Sequence, residues 1–397
     1  MEFTFSEQQE DFRRAVATTM AAEVPPSYVR EMIEDAVGVT PGLWSTMAEL
    51  GWLGVVAPES AGGLGLGLVD LVVLQEEMGR LPFPGPFLSS AVAATLAAVR
   101  LGEEELLAPL ASGARRGTIA VEEPGHGDPL GSIRAMATPS SPSSSAGSSA
   151  ANAASGTSAG GEWTLEGSKP IVLDGQGADW AFVVANDGEG LGTFLLEKPA
   201  GEPVPALDVT RKVARVDLDG RTARRVGPPG DHSDIWRRVL DDVGVAVCAE
   251  LVGTCERALS LAVEYAKVRV QFDRPIATFQ VIKHKAADML HELELARVGT
   301  HYAAWASDAE SPDRERAAAM AKGFVAEAAN LVTAECIQIH GGVGFTWDVD
   351  CHLLYRRAKQ DDLLFGAQGY QRQRLADLLL GPVQPVQRVQ PARQVQQ

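Results

Sequence analysis

The 397-residue sequence contains no uncharged apolar run approaching the ~20 residues that a bilayer-spanning helix needs. Its opening, MEFTFSEQQEDFRR, lacks the basic stretch and apolar core of a secretory signal. Cysteine is scarce: Cys248, Cys255, Cys336 and Cys351 include no Cys-x-x-Cys pair, which excludes a disulfide framework and leaves them as small buried apolar residues. Cations are also in deficit, 35 Lys and Arg against 52 Asp and Glu, for a net charge of −17. A polyanion is a poor ligand for nucleic acid, whose binding rests on neutralising phosphates. Metal-ligand spacing is missing at His126, His284, His301 and His352, and the run Trp347-Asp348-Val349-Asp350 is too short for a calcium loop. What is present, 45% hydrophobic and 22% charged residues, is the composition of a folded chain long enough for two or three domains. The expectation is a cytoplasmic protein without metal, nucleic acid or membrane.

Three regions follow from the pattern. Residues 1–117 read as a helical domain, with a capping box at Ser6 and Gln9 and amphipathic segments at Leu43–Leu50 and Leu68–Met78. The glycines at 62–67 miss the dinucleotide spacing and follow no clear strand, so they read as a turn. Residues 118–228 read as a small antiparallel β domain, from short β-branched and aromatic segments such as Thr118–Val121, Trp163–Glu166, Ile171–Leu173 and Trp180–Val184. Within it, 138–161 is almost entirely Ser, Ala and Gly, a composition that reads as a disordered insertion. Residues 229–380 return to long amphipathic helices at about 239–268, 280–307 and 314–339, a C-terminal four-helix bundle. Residues 381–397, rich in Pro and Gln, read as a disordered tail.

The motifs sharpen this α+β multidomain reading. Arg269-Val270-Gln271-Phe272-Asp273-Arg274-Pro275-Ile276, then Phe279-Gln280 and His284, resembles a signature of the acyl-CoA dehydrogenase family. So do Gln338-Ile339-His340-Gly341-Gly342-Val343-Gly344-Phe345, the Phe-Ser-Glu-Gln-Gln start, Pro58 to Gly65, and Glu123-Pro124-Gly125. The resemblance covers nearly the whole chain in order. It implies FAD, with Arg269, Phe272, Gln280, Gln338, Gly341 and Gly342 gripping the adenine end of a flavin that lies across a subunit interface. The residue types suit that task. Arginine offers a planar, permanently charged fork to a pyrophosphate. Paired glycines let backbone approach a ligand, and Gln338 can meet an adenine or ribose edge. His340, in place of an apolar residue, is a further candidate contact.

The implied reaction is α,β-dehydrogenation of an acyl-CoA thioester, with a carboxylate taking the α-proton, hydride passing to flavin N5, and electrons leaving to an electron-transfer flavoprotein. Here the sequence departs from the family. Phe365-Gly366 stands where the family places Glu-Gly, and the alternative base position falls near Val243. Four carboxylates are candidate replacements: Asp362, Asp361 (four residues before Phe365, on its face if the segment is helical), Glu250 and Asp242. Glu122 replaces the usual Thr or Ser at the flavin ring, an unfavourable neighbour for an anionic reduced flavin unless it turns away. Ile171-Val172-Leu173 replaces the ring-packing Trp-Ile-Thr. Two readings result: a catalytic dehydrogenase with a displaced base, or a half-site partner subunit of a heteromeric dehydrogenase that lends adenine-end contacts to a homologous chain. Flavin-dependent oxygenation on the same fold is a third, which no residue favours.

Overall fold

Ser6 opens the first helix: its Oγ accepts the Gln9 N–H at 3.2 Å, while Gln9 Oε1 accepts the Ser6 N–H at 3.0 Å, the reciprocal capping box. The computed structural model describes residues 5–125, 127–140 and 161–381. His126, most of the expected insertion and nearly all of the expected tail lie outside the described residues. Six α-helices make the N-terminal region: α1 Glu7–Glu23, α2 Pro26–Glu34, α3 Pro41–Glu49, α4 Leu68–Gly79, α5 Thr95–Leu101 and α6 Glu104–Ala111. A wider helical segment, Phe87–Ala94, leads into α5.

The central region holds β1 Gly117–Ala120, β2 Met136–Pro139, β3 Glu162–Glu166, β4 Ser168–Leu173, β5 Trp180–Asn186, β6 Leu191–Glu197, β7 Glu202–Pro203, β8 Val213–Asp217 and β9 Arg221–Val226. Six strands form a sheet in the order β1-β5-β2-β3-β9-β6, and β6 also pairs with β5, so the sheet curls back on itself. Its inner face encloses a separate core that includes Trp163, Leu165, Val183, Phe194 and Leu196. A second sheet runs β4-β8-β7.

The β domain is mainly antiparallel, as expected, with one refinement: β1 runs parallel to β5 from Gly117↔Trp180 to Ala120↔Val183, and β2 meets β5 in parallel at Met136↔Asn186. A parallel pair needs a long crossover that local alternation does not reveal. The expected insertion also begins too early: Thr138 and Pro139 pair with Thr164 and Trp163 as a strand.

The C-terminal region has α7 Ser233–Val268, a hairpin of β10 Val270–Gln271 and β11 Arg274–Pro275, then α8 Gln280–Asp308, α9 Arg314–His340, α10 Cys351–Leu363 and α11 Gln368–Leu380. The four-helix expectation therefore meets three long helices and two short ones among the described residues. Helices α4 and α7 cross at backbone contact. A Cβ on Gly79 would lie 2.0 Å from the Glu250 carbonyl oxygen, and one on Gly253 would lie 1.9 Å from that of Glu76, so only glycine permits the crossing. Among the described residues, no helix is long and apolar enough to cross a membrane.

Candidate functional site

Helix α10 ends at Leu363. Lys322, fully buried on α9, closes it by donating from Nζ to the carbonyls of Asp361 (2.6 Å) and Asp362 (3.1 Å). Beyond the helix, Phe365 adopts φ +57° and Gly366 φ +98°. The helical relation expected between Asp361 and Phe365 therefore fails, and the two side chains face different surroundings.

Phe365 is buried against β1 and β4. A cavity there is lined by Thr118, Val121, Glu122, Ile171, Leu364 and Phe365, among others. The three positions at which the sequence departs from the family thus meet at one place. That place is closed. The free volume is about 10 Å³, room for no more than a water. Glu122 turns into it, and Oε1 accepts the Phe365 N–H at 2.5 Å. Burial raises the Glu122 carboxyl to about 7, against the lowering effects of that hydrogen bond and of Lys322.

All four candidate carboxylates are already engaged. Asp361 takes two hydrogen bonds from Arg211, at 3.0 and 3.1 Å, and Glu250 takes one from the same guanidinium at 2.7 Å. Arg357, with no exposed surface, also donates to Glu250, and further to Asp208, to Thr210 Oγ1 (2.5 Å) and to the Phe83 carbonyl (3.1 Å). This cluster ties the N-terminal region, the β region, α7 and α10 together. Burial raises Asp361 to about 6, with Arg211 opposing and Glu250 adding to the rise. Burial acts the same way on Glu250, but Arg211 and Arg357 outweigh it and hold that carboxyl below its ordinary value. Asp242 lies between Arg100 (3.1 Å), Arg238 (3.4 Å) and the Ser307 hydroxyl (2.5 Å). Asp362 accepts from Asn330 Nδ2 at 3.0 Å and from the backbone and side chain of Gln368 at 3.1 and 3.0 Å.

The expected adenine-end residues occupy an open surface. Arg269 is the C-cap of α7 and makes no ion pair among the described residues. The hairpin after it turns through Phe272 and Asp273, both at positive φ, as a tight two-residue loop requires. Phe272 is 84% exposed, and Gln280 is the exposed first residue of α8. Gln338, Gly341 and Gly342 are exposed at the end of α9, and a Cβ on either glycine would meet nothing within 4 Å. Gly341 has φ +64°, the backbone reason for glycine at this helix end. Tyr265, one turn before Arg269, stacks on His340 at 4.4 Å and so joins the two motifs. His340 itself is buried, with Nδ1 donating to the Cys336 carbonyl at 2.8 Å, and it does not reach the open surface. The surroundings are apolar and uncovered: Val268 is 74% exposed, Phe345 71% and Val281 61%.

The narrow place beside Phe365 leaves no room for a flavin ring, whereas the open surface offers a guanidinium and unobstructed glycine backbone, the groups that suit a pyrophosphate and adenine. Two features escaped the sequence reading. The Glu122–Phe365 contact joins positions far apart in sequence, and its only trace was that both depart from the family pattern. The gathering of Cys336, His340 and Cys351, with ligand atoms within 4.8 Å of one another, follows no short motif.

Comparison with known proteins agrees with this architecture. Residues 6–114 match the family described as "Acyl-CoA dehydrogenase, N-terminal domain", and residues 236–380 match "Acyl-CoA dehydrogenase, C-terminal domain". The chain belongs to the acyl-CoA dehydrogenase family. It is 31% identical over 371 residues to acyl-CoA dehydrogenase IpdE2 of Mycolicibacterium smegmatis, covering 93% of this chain and 98% of the relative. Among solved structures it resembles a variant of the Tcur3481-Tcur3483 steroid ACAD, with 30% identity, a TM-score of 0.82 and coverage of 94% and 98%. It also resembles the ChsE4-ChsE5 complex from Mycobacterium tuberculosis, with 29% identity, a TM-score of 0.82 and coverage of 96% and 100%.

Proposed function

We propose that this chain is a half-site partner subunit of a heteromeric acyl-CoA dehydrogenase. In this role it pairs with a homologous chain that carries the catalytic carboxylate and the flavin-ring pocket. To that chain's FAD it supplies Arg269 for the pyrophosphate, with Gln338, Gly341 and Gly342 at the adenine and Phe272 and Gln280 alongside. The observation that carries the reading is the closure at Phe365 and Glu122, where a cavity of about 10 Å³ replaces room for a ring. The commitment of Asp242, Glu250, Asp361 and Asp362 to ion pairs and hydrogen bonds supports it. So does the exposed apolar surface around Arg269, the kind of patch that marks a protein contact. Both solved relatives named above carry two-component names, and ChsE4-ChsE5 is described as a complex.

Bound FAD accepts the hydride in such an enzyme, with acyl-CoA as substrate and an electron-transfer flavoprotein as electron acceptor. This chain's own residues bind and orient the cofactor. Flavin content per chain tests the reading. The expected result is colourless protein that gains about one flavin per pair on mixing with a homologous partner. One FAD per chain in a homo-oligomer purified alone would sink it.

A second reading, a catalytic dehydrogenase with a displaced base, rests on Glu122 rather than on the four sequence candidates. A carboxylate in dry surroundings, raised to about 7 and hydrogen-bonded to the backbone of Phe365, has the pKa of a general base. Under this reading Glu122→Gln lowers turnover by ~10²–10⁴, whereas under the half-site reading the assembled enzyme keeps its rate.

A further inference from the structure

Cys336 lies in the last turns of α9, His340 is that helix's final residue, and Cys351 is the first residue of α10. The two sulfurs are 3.4 Å apart, and both cysteines are fully buried. The Cys336 thiol donates towards Cys351 Sγ. The His340 ring, fixed by Tyr265 stacked on it, holds Nδ1 3.5 Å from the same sulfur. Cys351 also sits at a helix N-terminus, where backbone N–H groups favour an anion. The Cys336 thiol donating to Cys351 Sγ therefore favours a thiolate at Cys351 with a second thiol beside it. The Cys336 hydrogen bond and His340 bring the Cys351 thiol down to about 6 against the effect of burial. The other two cysteines differ in having no second thiol in hydrogen-bond reach among the described residues: in α7, burial pushes Cys248 and Cys255 up to about 12.

We propose that Cys336 and Cys351 form a redox-active dithiol that a hydroperoxide converts to a disulfide, stapling together the two ends of the segment 341–350. The Cys351 thiolate attacks the peroxide, an S–O bond forms, the O–O bond breaks, and the alcohol leaves with a proton. The Cys336 sulfur then displaces the oxygen, an S–S bond forms, and water leaves. Two electrons pass from the thiols to the peroxide for each disulfide. A small thiol reverses the reaction by exchange, two equivalents per bond. The sulfurs need to close from 3.4 Å to the ~2.05 Å of a disulfide, a movement within reach of side-chain rotation. The bridged segment carries Gly341 and Gly342, so oxidation fixes the loop at the open surface. The thiol chemistry itself stands whether or not that surface holds a partner's flavin.

The test uses the full chain, reduced, freed of reductant and exposed to hydrogen peroxide, with thiols counted after denaturation and the linkage mapped by peptide mass spectrometry. The expected result is loss of two of the four thiols, a Cys336–Cys351 cross-linked peptide lighter by two hydrogens, and full recovery with dithiothreitol. The double variant C248S/C255S should lose both of its remaining thiols in the same way, and Cys336→Ser should leave Cys351 carrying oxygen instead of a bridge. Hydrogen exchange across 341–350 should slow on oxidation and recover on reduction. Four thiols surviving the peroxide would overturn the proposal, as would a bridge to Cys248 or Cys255 or one between chains. Stoichiometric zinc in the purified protein, released as the thiols react, would make the cluster a metal site and overturn it equally.

Discussion

Two regions of this molecule that the family resemblance assigns to flavin binding differ sharply. At the adenine end, Arg269, Gln338, Gly341 and Gly342 stand on an exposed surface with open space over the glycines. At the ring end, Phe365 and Glu122 meet across a cavity too small for any ring. A chain that had merely lost function would be expected to erode at both ends. Here one end keeps the residue types that grip an anion, and the other is packed shut with an apolar side chain and a buried carboxylate. Under the half-site reading, the contrast is that of a surface kept for another molecule beside an interior packed for stability.

The largest expected effect comes from breaking what holds the closed end in place. Arg357→Met leaves Asp208 and Glu250 buried without their shared cation, and stripping one partner from a buried ion pair costs about 3–5 kcal/mol. Denaturant unfolding of the variant should show that loss. A change below about 1 kcal/mol would mean that the cluster does not anchor α10 to the rest of the protein.

Glu122 offers a test by pH. Its carboxyl stands at about 7 in the folded chain against an ordinary 4.5. The folded protein therefore keeps a proton that the unfolded chain gives up in between, and stability falls as pH rises through that window, by about 3 kcal/mol in all. Below pH 4.5 both states are protonated and there is no penalty. Glu122→Gln can still accept the Phe365 N–H, so the variant should match the wild type in acid and exceed its stability above pH 7. Parallel stability profiles for the two proteins would show that the carboxylate is solvated after all.

The open end should respond in binding rather than in folding. Arg269→Ala should weaken flavin binding in the assembled heteromer by about 1.5–3 kcal/mol, tenfold to about a hundredfold, the worth of hydrogen bonds to a charged group. Its unfolding midpoint should not move. If flavin titration finds equal affinity for variant and wild type, the pyrophosphate role of Arg269 is lost. The smallest effect is expected from replacing residues 141–160 by a short Gly-Ser linker. The Ser140 N–H already donates to the Glu162 carbonyl at 2.9 Å, so strands β2 and β3 end side by side. Stability should stay within about 0.5 kcal/mol and flavin binding should be unchanged. Loss of either would give the removed segment a role.

Much of this was legible in the chain itself, for a physical reason. Caps, helical periodicity and turn residues act over a few positions, so the capping box at Ser6 and the long C-terminal helices could be read directly. The Arg269 and Gly341–Gly342 motifs are short because the contacts they imply are made by backbone and by one planar side chain. The departures at Glu122, Ile171 and Phe365 were also visible, but as three separate oddities. Only the fold brings them together, because β1, β4 and the end of α10 are far apart in sequence and their packing depends on the whole molecule. The same holds for Asp361, whose face could not be known until α10 stopped at Leu363. It holds too for Glu250, Arg211 and Arg357, whose charges are tolerable in the interior only as a cluster. Local sequence was enough for which elements form and for which exposed residues have the chemistry to meet an anion. Whether each region is open or packed depended on the fold, because closure depends on what fills the space between distant segments.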